Sequence, residues 1–198
     1  NTVATIDFAK QFKGHGWVGI KYQIEPDEDY NEIVLHIRFK ETDARLQQET
    51  LGILGVNLIY GAFYKYNDPK KLLRYLYDHL DKDQLEIDTI NFSGPRFADV
   101  DNRLMSLQLV KNGMTDAVMF DPNGNNVLPA AVLYKKNILA LRGSFRPVTK
   151  VNMDMYKKSL EMFLEENKVQ KDNTLVVFEI TLSNLRSDGE IDERDFMD

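Results

Sequence analysis

The chain has 198 residues, of which 43% are hydrophobic and 28% are charged, a composition close to that of ordinary globular proteins. This excludes a disordered or fibrous chain, and a net charge of -6 gives no general attraction for nucleic acid or anionic membranes. The absence of cysteine excludes disulfides, thiolate metal sites and a thiol nucleophile.

Two strands begin the predicted fold, and in both of them apolar and polar side chains alternate. The first covers Trp17–Ile24 and the second covers Ile33–Phe39, and the acidic loop EPDEDYNE joins them. Alternation with a period of two is typical of strands that have one buried face. The two segments therefore predict an antiparallel hairpin at the N-terminal end of the fold.

Two helices are predicted after this hairpin. The first runs from Asp43 to about Phe63, and its second half is apolar on nearly all sides, which predicts deep burial. The second begins at Asp68, an acidic cap that is followed by Pro69 at the first helical position. Its apolar stripe consists of Leu72, Leu73, Leu76 and Leu80.

The rest of the chain alternates strands with helices, which are predicted at residues 99–112, 129–136 and 151–167. The strands are Leu85–Phe92, Ala117–Phe120, Ile138–Leu141 and Thr174–Leu182. This order predicts right-handed crossovers and a mainly parallel, Rossmann-like sheet with helices on both faces, to which the hairpin adds antiparallel edge strands. Because no repeat or linker interrupts the pattern, we expect a single α/β domain over residues 1–198.

The loop RGSFRPVT joins one of these strands to the next helix and has the chemistry of a phosphate site. Gly143 allows a tight turn, Ser144 offers a hydroxyl group, and Thr149 lies near the start of the helix. Free amides and the positive dipole end of a helix favour phosphate, and Arg142 and Arg146 can contact its oxygens. These five residues form the predicted phosphate site, although ordinary turn chemistry also explains such a loop.

The segment GSFRPVTKVNMD, residues 143–154, resembles the G-S-F-D-P-x-[TH]-x-G-H-x-D signature of Rossmann-like nucleotidyltransferases, such as nicotinate mononucleotide and pantetheine-phosphate adenylyltransferases. The resemblance implies that Thr149 and Asn152 contact ATP phosphates during transfer, with ATP and Mg as the cofactors. Asn152 stands where that family has His. Arg146 replaces its Asp, and Val151 replaces its Gly.

Three longer segments, LGILGVNLIYGAF, VDNRLMSLQLVKNGMTDAVMF and LALRGSFRPVTKVNMDM, resemble a family of long, poorly characterised bacterial proteins. The resemblance covers most of residues 14–198. Such proteins are sometimes labelled nicotinate- or nicotinamide-nucleotide adenylyltransferase, and others carry a membrane-receptor label. The resemblance implies that this chain is an internal region of a larger protein, the rest of which is its partner.

The ends of the chain and its longest apolar run indicate where the protein functions. It begins without Met or a secretory signal, and it ends in EIDERDFMD, which is typical of the opening of a helix. The run from Leu51 to Phe63 is shorter than the ~17–25 residues that a membrane helix needs. We expect a cytoplasmic fragment of a longer protein, without membrane or nucleic-acid partners.

No metal site is expected from the acidic and histidine residues. Asp99 and Asp101 have the D-x-D spacing of a metal clamp, but they lie at a predicted helix start, where Asp caps free amides. The three histidines lack the spacing of a zinc site. His15 is predicted in a loop before the first strand, and His36 is predicted on the solvent face of its strand.

Two functions from different classes are consistent with these patterns. The first is a nucleotide- or phosphate-binding domain that is similar to an adenylyltransferase of the nicotinate mononucleotide type and binds a small phosphorylated ligand. The second is a non-catalytic structural or interaction domain of a larger bacterial protein. In the second case we expect Arg142 and Arg146 to pair with nearby acidic residues.

Overall fold

The computed structural model describes residues 2–6, 12–186 and 189–197, and the chain divides into two compact units, Asn1–Leu128 and Pro129–Asp198. Both units combine helices with strands, which confirms the α/β class. The single domain over residues 1–198 stays a prediction.

The first unit contains a four-stranded sheet in which every neighbouring pair is antiparallel. Its strands, in spatial as well as chain order, are β1 (Thr2–Ile6), β2 (Phe12–Tyr22), β3 (Asn31–Phe39) and β4 (Leu85–Ser93). The predicted hairpin is confirmed by the pairing of β2 with β3, in which Val18 lies opposite Leu35. Alternation sets the burial of β3, because Ile33, Leu35 and Ile37 are fully buried.

Three helices accompany this sheet: α1 (Ala44–Tyr64), α2 (Pro69–Tyr75) and α3 (Asn102–Lys111). Their first turns are stabilised by the side chains of Asp43, Asp68 and Asp101, each of which accepts hydrogen bonds from backbone amides. The predicted capping role of Asp101 is thereby confirmed. Leucines of α1 and α2 join the buried side chains of β3 and β4 in one hydrophobic core.

The mainly parallel sheet is not confirmed, because the strands of the first unit pair only antiparallel within the described residues. Two helices, α1 and α2, connect β3 to β4 and bring the chain back to the end of the sheet where β3 ends, so β4 runs antiparallel to β3. A parallel neighbour requires a connection that crosses to the opposite end of the sheet. The next predicted strand is reduced to β5 (Met119–Phe120), which pairs with β6 (Asn126–Val127) in a small separate hairpin.

The second unit contains a parallel pair of strands. Its elements are α4 (Pro129–Leu133), β7 (Asn137–Arg142), α5 (Lys150–Leu164), β8 (Thr174–Glu179), α6 (Leu182–Leu185) and α7 (Glu193–Met197). β7 and β8 pair in parallel, and α5 is the crossover between them. The predicted strand–helix–strand order is therefore confirmed over this part of the chain.

None of the helices in the described part of the chain combines the length and the apolar character needed to cross a membrane.

Candidate functional site

The predicted phosphate loop lies between β7 and α5 in the second unit. The parallel register of β7 with β8 runs from Asn137 opposite Thr174 to Arg142 opposite Glu179. The loop therefore leaves the carboxyl end of a strand and enters a helix that crosses to a parallel neighbour. This is the position where open parallel sheets bind ligands.

Arg142 is paired at this strand end. Its guanidinium donates hydrogen bonds to both carboxylate oxygens of Glu179, at 2.9 to 3.1 Å. The side chain of Arg142 is 67% exposed and that of Glu179 is 44% exposed, so the pair contributes little to stability and can open at a low cost in free energy. The pairing with an acidic residue is the arrangement expected for a non-catalytic domain.

The turn after Arg142 is closed by an aromatic ring. The amide of Gly143 donates to the backbone carbonyl of Glu179 at 3.1 Å, which extends the hydrogen bonding of the strand pair by one residue. A Cβ atom at Gly143 would lie 3.0 Å from the ring of Phe145, and that ring packs edge-on against Phe178. Phe145 itself has a positive φ of 52°, a conformation that is uncommon for a non-glycine residue. The amide of Gly143, which belongs to the predicted phosphate site, therefore already donates to a backbone carbonyl.

Thr149 and Asn152 lie together and bind each other. The side-chain oxygen of Asn152 accepts hydrogen bonds from the amide of Thr149 at 2.8 Å and from its hydroxyl at 2.7 Å. The amide of Asn152 donates to the Thr149 hydroxyl at 3.3 Å, which completes a capping box at the start of α5. The two residues that the resemblance assigns to ATP phosphates thus stabilise the start of their own helix.

The remaining loop residues differ in exposure. Ser144 is exposed, and Arg146 is half-buried. The structure therefore brings Thr149 and Asn152 together and places Arg142 against an acidic residue. The phosphate site of residues 142–152 stays a prediction.

A shallow depression of about 440 Å³ lies in the first unit, in the region of α1 and α2. Its lining residues are Lys65, Lys71, Arg74, Tyr75, Tyr77 and Asp78. The basic side chains can hold a small anion, although one of them, Lys71, lies 3.3 Å from the carboxylate of Asp68. Any test of anion binding by the loop must therefore distinguish it from this depression.

A buried imidazole–carboxylate pair lies on the sheet of the first unit and was not predicted. Nδ1 of His36 lies 2.7 Å from Oδ1 of Asp88, and both residues are buried. A β-bulge in β4 makes this contact possible, because His36 pairs with Thr89 whereas Ile37 pairs with Ile87. Asp88 is the additional residue of the bulge and directs its side chain towards His36.

Two further rings surround this imidazole. Trp17 packs edge-on at 5.0 Å, and the ring of His15 lies 5.6 Å away. A hydrogen bond to the Asp88 carboxylate is donated by Nδ1 of His36, which orients the imidazole ring. Among the described residues, however, no group of three or more His, Cys, Asp or Glu can hold a metal ion. The pair links β3 to β4 across the bulge.

Two sequence predictions about these histidines are wrong. His15 lies inside β2 and not in a loop, and His36 is buried and not exposed to solvent. Alternation placed His36 on the correct face of its strand, but the Trp17 ring and the bulge cover that face. A partner 52 residues away leaves no local signal in the sequence.

No protein-family model, no curated protein and no solved structure matches the chain significantly. The resemblance of residues 143–154 to nucleotidyltransferases, and that of the longer segments to long bacterial proteins, stay predictions.

Proposed function

We propose that this chain is a non-catalytic interaction domain. Polar groups at its best chemical candidate, the loop between β7 and α5, support this proposal because they are paired within the protein. Arg142 pairs with Glu179, and Thr149 with Asn152. A catalytic phosphate site would present such groups to its ligand before the ligand arrives.

The observation that carries the proposal is a continuous apolar surface on α1. We call it the outer stripe; it consists of Val56, Ile59, Tyr60, Phe63 and Tyr64. All of these side chains are between 40 and 71% exposed, although the opposite side of the same helix forms part of the core. Contiguous apolar surface rimmed by polar residues is typical of protein–protein contacts.

A ligand-binding assay tests the proposal. We expect ATP, nicotinate mononucleotide and inorganic phosphate to leave the thermal unfolding midpoint unchanged, because a ligand stabilises only the state that it binds. If a ligand raises the midpoint, two variants locate the site. Loss of the response in Arg146→Ala, with retention in Arg74→Ala, places the ligand at the loop and contradicts the proposal. The reverse pattern places it at the depression between Lys65 and Asp78.

A phosphate-binding, adenylyltransferase-like function is the second candidate. It is favoured by the order of β7, the loop, α5 and the parallel strand β8, which is the order that the resemblance to nucleotidyltransferases implies. Opening the exposed Arg142–Glu179 pair costs at most about 1 kcal/mol, so phosphate can compete for that guanidinium. In this case ATP, with Mg, is the expected ligand, and the parallel pair is the core of a Rossmann-like sheet.

The resemblance to long bacterial proteins supports a setting in which this domain is one part of a larger chain, and we propose that this chain is cytoplasmic. Either function fits that setting. The assay with Arg146→Ala separates them, since only the second candidate requires this arginine.

A further inference from the structure

The depression in the first unit concentrates positive charge in a chain that is acidic as a whole. The segment that supplies all of its lining residues, residues 65–78, has four basic and two acidic side chains, whereas the chain has a net charge of -6. Two of the basic lining side chains, Lys65 and Arg74, form no ion pair with a carboxylate among the described residues. Both cations can therefore bind an anionic group from outside the unit.

The fold holds the walls of the depression in place. α2 can lie close to α1 because Gly61 has no side chain: a Cβ atom there would lie 3.1 Å from Cγ of Leu72. The turn after α2 is also fastened to α1, since the amide of Asn57 donates to the backbone carbonyl of Asp78 at 2.7 Å. A surface that is ordered before the partner arrives loses less entropy on binding.

A pair of stacked tyrosines from the outer stripe borders the depression. Tyr60 stacks on Tyr64 at 4.7 Å and contacts Tyr75, a lining residue, at 4.9 Å. Nζ of Lys65 lies 5.8 Å from the centre of the Tyr60 ring. Tyr64 is 71% exposed, so its ring presents apolar surface next to the cations. An aromatic side chain of a partner can pack against such a ring.

An acidic peptide fits these features better than other anions do. A small anion such as phosphate can contact the cations but leaves the tyrosine rings uncovered. A nucleic acid or an anionic membrane extends its negative charge beyond the depression, where the net charge of -6 on the chain repels it. A short peptide matches both parts of the surface, because its carboxylates pair with Lys and Arg and its aromatic side chain covers a ring.

We propose that the depression and the Tyr60–Tyr64 pair bind a peptide segment of a partner protein, in which acidic residues flank an aromatic one. Lys65 and Arg74 bind its carboxylates, and the exposed ring of Tyr64 packs against its aromatic side chain. This segment is the partner of the proposed interaction domain, so the inference rests on that function.

Fluorescence anisotropy of the full chain with a labelled synthetic peptide is the first test. In the acidic probe, glutamates flank one phenylalanine, and in the reference probe glutamines replace the glutamates. We expect the acidic probe to bind with an affinity that falls as the salt concentration rises, and the reference probe to show no measurable binding. Absence of binding by the acidic probe, or equal binding of the two probes, overturns the proposal.

Substitutions in the depression should change the affinity in both directions. Arg74→Gln and Lys65→Gln should each raise the dissociation constant about tenfold, because each removes a charge-assisted hydrogen bond to the peptide. The carboxylate of Asp78 lines the same depression and repels the peptide, so Asp78→Asn should lower the dissociation constant about threefold. A misfolded variant cannot produce such a gain in affinity.

Arg45→Gln is the matched control for these variants. It removes one positive charge from α1, at a position where the side chain is 86% exposed and outside the depression. The dissociation constant should stay within about twofold of the unaltered value, because salt screens distant exposed charges. A loss as large as that of Arg74→Gln would show attraction by net charge alone and overturn the proposal, as would the absence of a gain in Asp78→Asn.

The aromatic contact is tested with Tyr64→Ala. For the acidic probe with phenylalanine, we expect the dissociation constant to rise about fivefold. For a probe with serine in place of phenylalanine, the same substitution should have no effect, because the two rings form one pairwise contact. Equal losses with both probes overturn this contact and the peptide chemistry derived from it.

Other occupants are separated by measuring single-stranded oligothymidylate, phosphatidylserine vesicles and inorganic phosphate in the same way. Tighter binding of any of them than of the acidic probe, if Arg74→Gln abolishes it, overturns the peptide as the occupant. Failure of the peptide leaves the interaction function standing. Only an Arg146-dependent response of the thermal unfolding midpoint to ATP, nicotinate mononucleotide or phosphate contradicts that function.

Discussion

Replacement of Gly94 by alanine should cause a large loss of stability in the first unit. Gly94 follows β4 with φ 104° and ψ 172°, a region of backbone conformation that only glycine adopts readily. A Cβ atom there would lie 2.5 Å from the carbonyl oxygen of Tyr30 and 2.7 Å from Cα of Asn31. Both atoms belong to the backbone, so neither can rotate away, and Asn31 is fully buried.

The cost of this substitution has two parts. Strained backbone conformations cost about 1–3 kcal/mol, and an overpacked site costs about 1–3 kcal/mol more. The clash also displaces Asn31, whose side-chain oxygen accepts a hydrogen bond from the amide of Arg96 at 2.9 Å. We therefore expect Gly94→Ala to lower the free energy of unfolding by about 4 kcal/mol.

Gly124→Ala is the matched control, because Gly124 also has a positive φ, of 82°. The nearest atom to a Cβ there is Cδ of Arg103 at 3.2 Å, which belongs to a flexible side chain. Only the backbone strain remains, so the expected loss is about 1–2 kcal/mol. Urea denaturation followed by the fluorescence of Trp17, the single tryptophan, measures both losses in the unit that contains them. Equal losses in the two variants would refute the reasoning.

Three further substitutions test other parts of the structure. Burial raises the pKa of the Tyr22 hydroxyl to about 12. The tyrosine of the unfolded chain therefore ionises first, and the free energy of unfolding falls as the pH rises above ~10. Tyr22→Phe should reduce this fall, measured by urea titrations at alkaline pH. Asn57 donates hydrogen bonds to the carbonyls of Leu76 and Asp78, so Asn57→Ala should lower the free energy of unfolding by about 2 kcal/mol, and no loss would show that water replaces the amide. Arg142→Gln removes an exposed ion pair and should cost under about 1 kcal/mol in thermal unfolding; a larger loss would show that the loop depends on it.

The elements predicted from sequence and confirmed in the structure are those that local patterns determine. Alternation along Ile33–Phe39 predicts both the strand and its buried face. Asp68 and Pro69 predict the start of α2, because cap and proline effects act within one turn. Gly113, with φ 65°, follows the cap of α3 and stops the helix close to the predicted end at residue 112.

Strand partners could not be predicted in the same way. The pattern of β4 is equally consistent with a parallel and an antiparallel neighbour, because both bury an apolar strand. The choice depends on the path of the connecting helices, and the pair α1 and α2 returns the chain beside β3. Only β7 and β8, which a single helix connects, pair in parallel among the described strands.

The candidate loop illustrates a different limit. The spacing of Thr149 and Asn152 is that of the nucleotidyltransferase signature and also that of a capping box, since both place polar side chains three residues apart at a helix start. Sequence alone cannot separate the two roles. The contact of His36 with Asp88 depends on a bulge in another strand, which no local spacing predicts.

The composition of α1 changes along the side that has the outer stripe. In the N-terminal half of the helix the same surface has Arg45, Gln48 and Glu49, all of which are exposed. Folding of the unit therefore does not require apolar residues at these positions. Large apolar side chains become frequent on it from Val56 onwards. Phe63 contacts Tyr22 and Tyr60 contacts Tyr75, whereas Val56, Ile59 and Tyr64 are more than half exposed. This change in character along one side of α1 is consistent with the proposed interaction surface.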